Sequence, residues 1–352
     1  MALNVNENPY APSTAVIDTL RQDVAAAAAG LHRYPDRDFP ALRQALADYL
    51  ARESGVGLPK EQLWAANGSN EVLTHVLQAF GGPGRKAATF APSYSMYSEY
   101  ARNTHTAWVE GEREADFTLD PARAVAFIEE HQPAVILLAS PNNPTGTALP
   151  LGTVEAILDA AAQVVVPDAP EPNVGAIVVV DEAYAEFRSA GTPSALNLLA
   201  RHPNLAVSRT MSKAFAAAGL RLGYLAASQP LVDALRVVRL PYHLSAVTQA
   251  AALAALKHSD ELLAQVDTLR RERDGLVAWL RGQGLQVADT DANFALFGPF
   301  ADRGAVWQGL LDRGVLIREV GPPGWLRVSV GTSWETKAFK QALIEVMEAR
   351  SK

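Results

Sequence analysis

The sequence predicts an α/β chain in which a large unit built on buried strands is followed by a second, smaller α/β unit. Three observations carry this. The runs at 134–139 (AVILLA) and 176–180 (AIVVV) are continuously apolar, as parallel strands covered on both faces are. Segments of helical periodicity separate the strands before residue 224, and after residue 293 strands and helices alternate again. The chain has 352 residues, 49% of them hydrophobic, which is enough for one large core and a smaller one.

In chain order, LNVNENPYAPS at 3–13 is dense in Asn and Pro and reads as extended or turning backbone. Helical spacing begins at Thr14, passes through Ile17, Leu20 and the alanines of 25–29, and stops at Gly30. RYPD at 33–36 is a turn, and Leu42, Leu46, Tyr49 and Leu50 mark a second helix. Residues 63–66 form a short strand. GSNE at 68–71 then opens a helix bearing Val72, Val76 and Leu77, with Ser69 or Asn70 as its cap. Such a helix start can receive a phosphate, although a plain capped helix explains the tetrapeptide better when it is taken alone.

Residues 86–90 are a strand, and PSYSMY at 92–97 starts a helix with Tyr94 and Tyr97 near its mouth, for core packing or for stacking on a ring. Strand 134–139 runs into SPNNPTG at 140–146, too rich in Pro and Gly for regular structure. A helix over 153–162, a proline-containing loop over 167–175 and the strand 176–180 follow, the last ending in DEAY at 181–184. A carboxylate at the end of a buried strand stands where open α/β sheets place ligand groups, or else caps the next segment. Helices are expected over 230–238, 245–257 and 261–280. The second α/β set comprises strands 293–297, 314–318 and 325–330, a helix over 302–312 and a closing helix from Trp334.

Composition excludes several classes of function. Net charge is −7 and no block of Lys and Arg stands out, which argues against nucleic acid or an anionic membrane as partner. With no cysteine, disulfides, thiolate nucleophiles and Cys-bound zinc are excluded. The seven histidines show no ligand spacing, and no metal is expected. No glycine-rich dinucleotide motif and no P-loop lysine occurs. Residues 1–10 lack a basic stretch followed by an apolar one, so no signal peptide is expected, and no apolar run reaches membrane-spanning length. A cytoplasmic protein is the expectation.

The chemistry centres on SRTMSKAFAAAGLRLGY at 208–224. Apolar residues 205–207 precede it, placing Lys213 just past a strand end among the hydroxyls of Thr210 and Ser212, with Arg221 beyond a run of small residues. A lysine amine there can form a Schiff base with an aldehyde cofactor, and hydroxyls with a guanidinium can hold a phosphate. Alone, this stretch is explained slightly better by a surface lysine and an ion-pairing arginine. Together with the other motifs it fits pyridoxal 5′-phosphate: Asp181 against the ring nitrogen, Asn143 and Tyr184 at the phenolic oxygen, and Tyr94 as stacking partner. Ser69, Asn70, Ser212, Arg221 and a helix N-terminus would form the phosphate cup.

The segments LNVNENPY, RYPD, NGSNE, PSYSMY, SPNNPTG, DEAYAEF, SRTMSKAFAAAGLRLGY, LPYHLS, ANFALF, GVLIRE and LRVSVGT span almost the whole chain. In them the chain resembles the fold-type I aminotransferases, specifically the histidinol-phosphate aminotransferase branch. The resemblance implies the PLP-dependent transferase fold type I: a large domain with a mainly parallel seven-stranded sheet flanked by helices, plus a smaller α/β domain. Expected boundaries are 1–30 for an N-terminal arm and helix belonging to the small domain, 31–240 for the cofactor-binding domain and 241–352 for the small domain. It implies that Lys213 is the catalytic acid–base, with Asp181 and Tyr184 beside it. Arg221, Ser212, Ser69, Asn70 and Thr210 would hold the cofactor phosphate. Tyr34 would reach the neighbour's phosphate across a homodimer interface. Tyr10, Asn143, Asn293, Arg318 and Arg327 would meet the substrate, Arg327 facing its phosphate. The implied reaction joins a small-molecule amino donor and a phosphorylated keto acceptor: imidazole acetol phosphate and glutamate give histidinol phosphate and 2-oxoglutarate, reversibly. An aromatic aminotransferase and a threonine-phosphate decarboxylase-like lyase share much of the pattern; a cofactor-binding regulator would carry an appended DNA-binding segment, and no basic segment of that kind is present.

Overall fold

The computed structural model describes residues 1–169 and 175–350, so most of the loop expected over 167–175 lies outside the described residues. In chain order come α1 (Thr14–Ala28), α2 (Pro40–Ser54), β1 (Leu63–Ala66), α3 (Ser69–Phe80), β2 (Lys86–Ala91), α4 (Met96–Asn103) and β3 (Ala107–Glu112). Next are α5 (Pro121–His131), β4 (Val135–Ala139), α6 (Leu151–Ala162), β5 (Ile177–Asp181), β6 (Leu205–Thr210) and β7 (Gly223–Ala227). Helices α7 (Gln229–Val238), α8 (Ala246–Lys257) and α9 (Ser259–Gly282) lead to β8 (Gln286–Val287), β9 (Phe294–Gly298), α10 (Arg303–Asp312), β10 (Arg318–Glu319), β11 (Leu326–Ser329) and α11 (Ser333–Arg350).

The first seven strands form one sheet in the order β1-β7-β6-β5-β4-β2-β3. Strands β2 to β6 pair in parallel, and β7 runs against both β1 and β6. The expected mainly parallel seven-stranded sheet is therefore present. Every residue of β4, β5 and β6 is buried, because helices cover both faces. The β-branched content of β5 suits that pleated, enclosed surface. Since the central strands are parallel, their C-terminal ends open on one edge, and the side chains just after β2, β4, β5 and β6 meet there.

Strand β3 and helix α5 lie where the sequence suggested no element. β3 sits at the sheet edge and buries only one of its six residues, so it lacks the apolar run that marks β4 and β5. Helix α5 begins with Pro121 in its first turn, and the Asp120 carboxylate accepts from Arg123 N, a proline-then-cap start that suits a helix N-terminus. The strand expected over 314–318 is a correction. Only Arg318–Glu319 is strand, and Leu316 makes a single bridge to Ala2, because the chain there pairs with the N-terminus rather than with a long neighbour.

The expected side-chain cap of α3 is also corrected. Gly68 is the N-cap, and Ser69 is already the first helical residue. The Glu71 carboxylate instead reaches back to Asn67, accepting from its backbone N at 2.6 Å and its Nδ2 at 2.8 Å. The N–H groups at the start of the helix are thereby left facing the sheet edge.

Buried apolar residues gather in a large cluster around the seven-stranded sheet and a smaller one around the second, antiparallel sheet of order β10-β11-β9-β8. Residues of α8 and the first half of α9 (Leu262, Val266, Leu269) belong to the large cluster, and Leu276 and Leu280 to the small one. Residues 241–352 thus contribute to both. Leu3 belongs to the small cluster, and its N and O bond to Leu316 O and Ser329 N. No helix among the described residues is long and apolar enough to cross a membrane.

Candidate active site

A cavity of about 590 Å³ opens at the C-terminal ends of β2, β4, β5 and β6. Its wall includes Ser69, Asn70, Tyr94, Asn143, Asp181, Tyr184, Thr210, Ser212, Lys213 and Arg221 from the large unit, with Arg318 and Arg327 from the small one. Residues Asn4 to Glu7 close one side as a strap.

Asp181 ends β5 and points into the cavity, while the next residue, Glu182, points to the opposite face, as alternation along an extended chain requires. Asp181 is 6% exposed, and its Oδ2 accepts from the Tyr97 hydroxyl at 2.9 Å. Its Oδ1 is buried without a partner. A buried carboxylate oxygen left open in this way is costly unless a donor meets it. Burial pushes Asp181 up to about 6, against the hydrogen bond from Tyr97, which lowers it. A protonated ring nitrogen is a fitting donor for that oxygen. Glu182 has a different fate: burial would raise it, but Arg209 and Arg188 hold it below the usual range, with Arg209 Nη2 at 2.8 Å.

Lys213 follows β6, and its Nζ donates to Val5 O at 3.0 Å. Burial above all, with Arg327 and Arg221 adding to it and Glu7 opposing them, pulls its amine down to about 8. A larger share of neutral amine is therefore available near neutrality than for a solvated lysine.

The Tyr184 oxygen accepts from Asn6 Nδ2 at 3.0 Å and from Asn143 Nδ2 at 3.4 Å. Arg327 Nη1 in turn donates to Asn143 Oδ1, and its Nη2 to Asn4 O at 2.9 Å. The arginine is thus held by the strap and by the loop after β4, and its Nε is buried without a partner. Arg318 stands opposite Arg327 in the antiparallel register of β10 and β11. Two like charges directly across a ladder repel, so an anion between them would relieve the pair.

Arg221 adopts a left-handed backbone (φ 55°) and donates from Nη1 to Ser212 Oγ at 3.3 Å and to Ala218 O at 3.0 Å. Thr210 Oγ1 lies 2.9 Å from Ser212 Oγ. Two glycines bring the start of α3 to this cluster. A Cβ at Gly223 would collide with the backbone of Gly68 and Ser69, and one at Gly68, which has φ +82°, would collide with the Arg221 guanidinium. Backbone N–H groups at a helix start, two hydroxyls and a guanidinium converge there, the donor set that an anion such as a phosphate requires.

Three of the expected residues lie elsewhere. Asn293 is fully buried behind the strap and donates to Asn6 O at 3.0 Å, so it does not line the cavity. Tyr10 is half-buried against the large core, with Glu272 and Glu335 acting on it after burial itself, and is not part of the wall either. Tyr34 is 80% exposed and stacks on Tyr242 with ring centroids 4.6 Å apart, away from this chain's own cavity. Reading the sequence missed Asn6 as a partner of Tyr184 and Tyr97 as a partner of Asp181. Both contacts join residues far apart in the chain, and no local pattern announces them.

A family model described as aminotransferase class I and II matches residues 1–343. The histidinol-phosphate aminotransferase of Thermobifida fusca is 62% identical, over 97% of this chain and 89% of that protein. The histidinol-phosphate aminotransferase of Bifidobacterium longum is 56% identical, over 99% of this chain and 91% of that protein. Among solved structures, the histidinol-phosphate aminotransferase of Sinorhizobium meliloti in complex with pyridoxal 5′-phosphate superposes with a TM-score of 0.84 at 24% identity, over 99% of this chain and 90% of that one. The aspartate aminotransferase of Thermus thermophilus with maleate gives 0.81 at 26% identity, over 98% and 90%.

Proposed function

Because the chain belongs to the aminotransferase class I and II family, we propose that it transfers an amino group between glutamate and imidazole acetol phosphate, giving histidinol phosphate and 2-oxoglutarate, on pyridoxal 5′-phosphate. The names of relatives that are 52–62% identical over nearly the whole chain support the substrate. The observation that carries the reading is a convergence: the Lys213 amine, the open oxygen of Asp181 and the Arg221 cluster face one cavity. A homodimer, supported by the exposed stack of Tyr34 and Tyr242, and a cytoplasmic location are part of the proposal.

Bound in this cavity, the cofactor supplies an aldehyde that condenses with amines and a ring that draws electrons from the carbon bearing the amine. Lys213 is the amine that would hold it, and its Nζ, when free, would be the base for the proton on the substrate Cα. Asp181 Oδ1 would accept from the ring N–H and favour its charged form. Tyr184 and Asn143 would donate to the phenolic oxygen. Arg221, Ser212, Thr210 and the backbone at Ser69 and Asn70 would hold the cofactor phosphate, and Tyr94 would lie against the ring. Arg327 and Arg318 take the anionic end of the substrate. The strap of Asn4 to Glu7 keeps water from that side.

Two measurements test this. Offered both acceptors, the purified protein is expected to prefer imidazole acetol phosphate strongly over phenylpyruvate; the opposite preference would move the assignment to an aromatic aminotransferase with the same machinery. Lys213→Ala is expected to lower kcat by at least about 10²–10⁴-fold. Turnover close to that of the unaltered protein would remove Lys213 from the mechanism.

A further inference from the structure

We propose that Asn6 is a positioning residue that sets the direction of the Tyr184 hydroxyl proton, and that with Ser329 it ties this proton to the substrate-facing strand β11. This deepens the aminotransferase reading and rests on it.

A tyrosine hydroxyl has one proton and room to accept about two hydrogen bonds. Asn6 Nδ2 and Asn143 Nδ2 both donate to the Tyr184 oxygen. With its accepting positions filled by two amides, the hydroxyl directs its own proton into the cavity that Tyr184 lines. Asn143 alone would leave one accepting position free and the proton unassigned.

Asn6 is fixed for this task from every side. It is 2% exposed and adopts φ 55°, a left-handed conformation that asparagine tolerates better than most residues. Its N–H donates to Ser329 Oγ at 2.9 Å, and Ser329 Oγ returns a proton to Asn6 Oδ1, also at 2.9 Å. Because the serine oxygen already accepts from Asn6 N, its hydroxyl is committed to Oδ1, which leaves the Nδ2 side facing Tyr184. Asn6 O accepts from the buried Asn293. Ser329 lies two residues beyond Arg327 on β11, on the same face of the strand. Arg327 reaches Tyr184 through Asn143, and Ser329 reaches it through Asn6, so the tyrosine oxygen is clamped from one strand by two separate routes.

The test uses the cofactor-loaded protein and follows its visible absorbance as a function of pH. A proton donated by Tyr184 to the phenolic oxygen favours the deprotonated imine, so losing that donor raises the apparent pKa of the visible band. Asn6→Asp replaces the amide donor with an acceptor of the same size, and the Tyr184 proton turns towards it. The expected result is an upward shift of about one unit or more, with kcat falling more than KM for glutamate rises. Ser329→Ala frees the Asn6 amide to rotate and is expected to shift the band in the same direction by less; it carries the test if Asn6→Asp does not fold. In a Tyr184→Phe background the Asn6→Asp shift is expected to vanish. A shift that persists there is a through-space effect of the new charge and overturns the proposal, as does an unchanged titration in both single variants. An unaltered protein that shows no pH-dependent visible band with pyridoxal 5′-phosphate would instead overturn the functional reading itself, so the two failures are distinguishable.

Discussion

At Lys213 the surroundings act in one net direction. Burial disfavours the ammonium, the guanidinium groups of Arg327 and Arg221 add to that, and only the Glu7 carboxylate works against them, leaving the amine at about 8. The neutral amine is the nucleophile towards an aldehyde, so the rate at which cofactor-free protein captures pyridoxal 5′-phosphate should rise about tenfold per pH unit below that value and level off above it. Stopped-flow absorbance would read this directly. A rate still climbing steeply near pH 10 would mean that the amine behaves as a solvated lysine. Lys213, Asp181 and Arg221 were legible in the sequence because each follows or flanks an apolar run that ends in polar, chemistry-bearing residues. Asn6 was legible only as part of an Asn-rich extended stretch, since its meaning comes from Tyr184 and Ser329, 178 and 323 positions away. Asn293 stands just before β9, where its Nδ2 donates to Asn6 O in the strap while its Oδ1 is buried without a partner.

Among the elements, helix α3 carries the most consequence for the site. Its first turn sits against Gly223 of β7 with no space for a side chain, and the nearest atoms are backbone. Gly223→Ala must displace the helix start or the strand, which is expected to cost about 1–3 kcal/mol of stability and to weaken cofactor binding. Gly68→Ala meets the far end of Arg221, which can swing, but it also strains the φ of +82°. Both alanines should therefore raise the cofactor Kd, the one at 223 through the helix start and the one at 68 through Arg221, as equilibrium dialysis would show; an unchanged Kd in both would place the phosphate elsewhere. The same helix carries an acid sensitivity. Trp64 Nε1 donates to His75 Nδ1 at 3.3 Å, which requires that nitrogen to be bare, and burial holds His75 down at about 4, with the nearby His243 adding to this and Glu71 opposing it. Between about 6.5 and 4 the unfolded chain takes up a proton that the folded one refuses, so stability falls as pH falls through that window, by no more than about 3–4 kcal/mol. Urea unfolding at pH 7 and pH 4.5 should show less of this loss in His75→Gln than in the unaltered protein. As to legibility, β4, β5 and β6 were readable as apolar runs because both their faces are covered. β3 was not, because an edge strand with one exposed face carries no such run, and 314–318 mimicked a strand because its alternating apolar residues pack into the small core without a long partner to pair with.

For the whole molecule the exposed aromatics decide the next question. Tyr34, Leu31, Val237 and Leu240 are 80%, 57%, 84% and 75% exposed, while the other large apolar side chains mostly fill the two cores. Tyr34 and Tyr242 stack beside a depression that also takes in Leu31 and Pro241, with His32, Arg33 and Ser245 among them, and exposed aromatic and apolar side chains gathered in this way suit a contact with another protein. In the proposed homodimer a two-fold axis carries Tyr34 of each copy towards the other copy's cavity, and within one chain Tyr34 does not line its own. Lys213→Ala destroys the site on its own chain. Tyr34→Ala weakens the site on the other chain. When the two variants are mixed and allowed to exchange subunits, half of the dimers combine one of each, and in these the site with an intact Lys213 also receives an intact Tyr34. Activity is then expected to recover to about a quarter of that of the unaltered protein, because one site in two is whole in half of the dimers. A mixture no more active than its components summed would place both residues in the service of a single chain and remove the shared site.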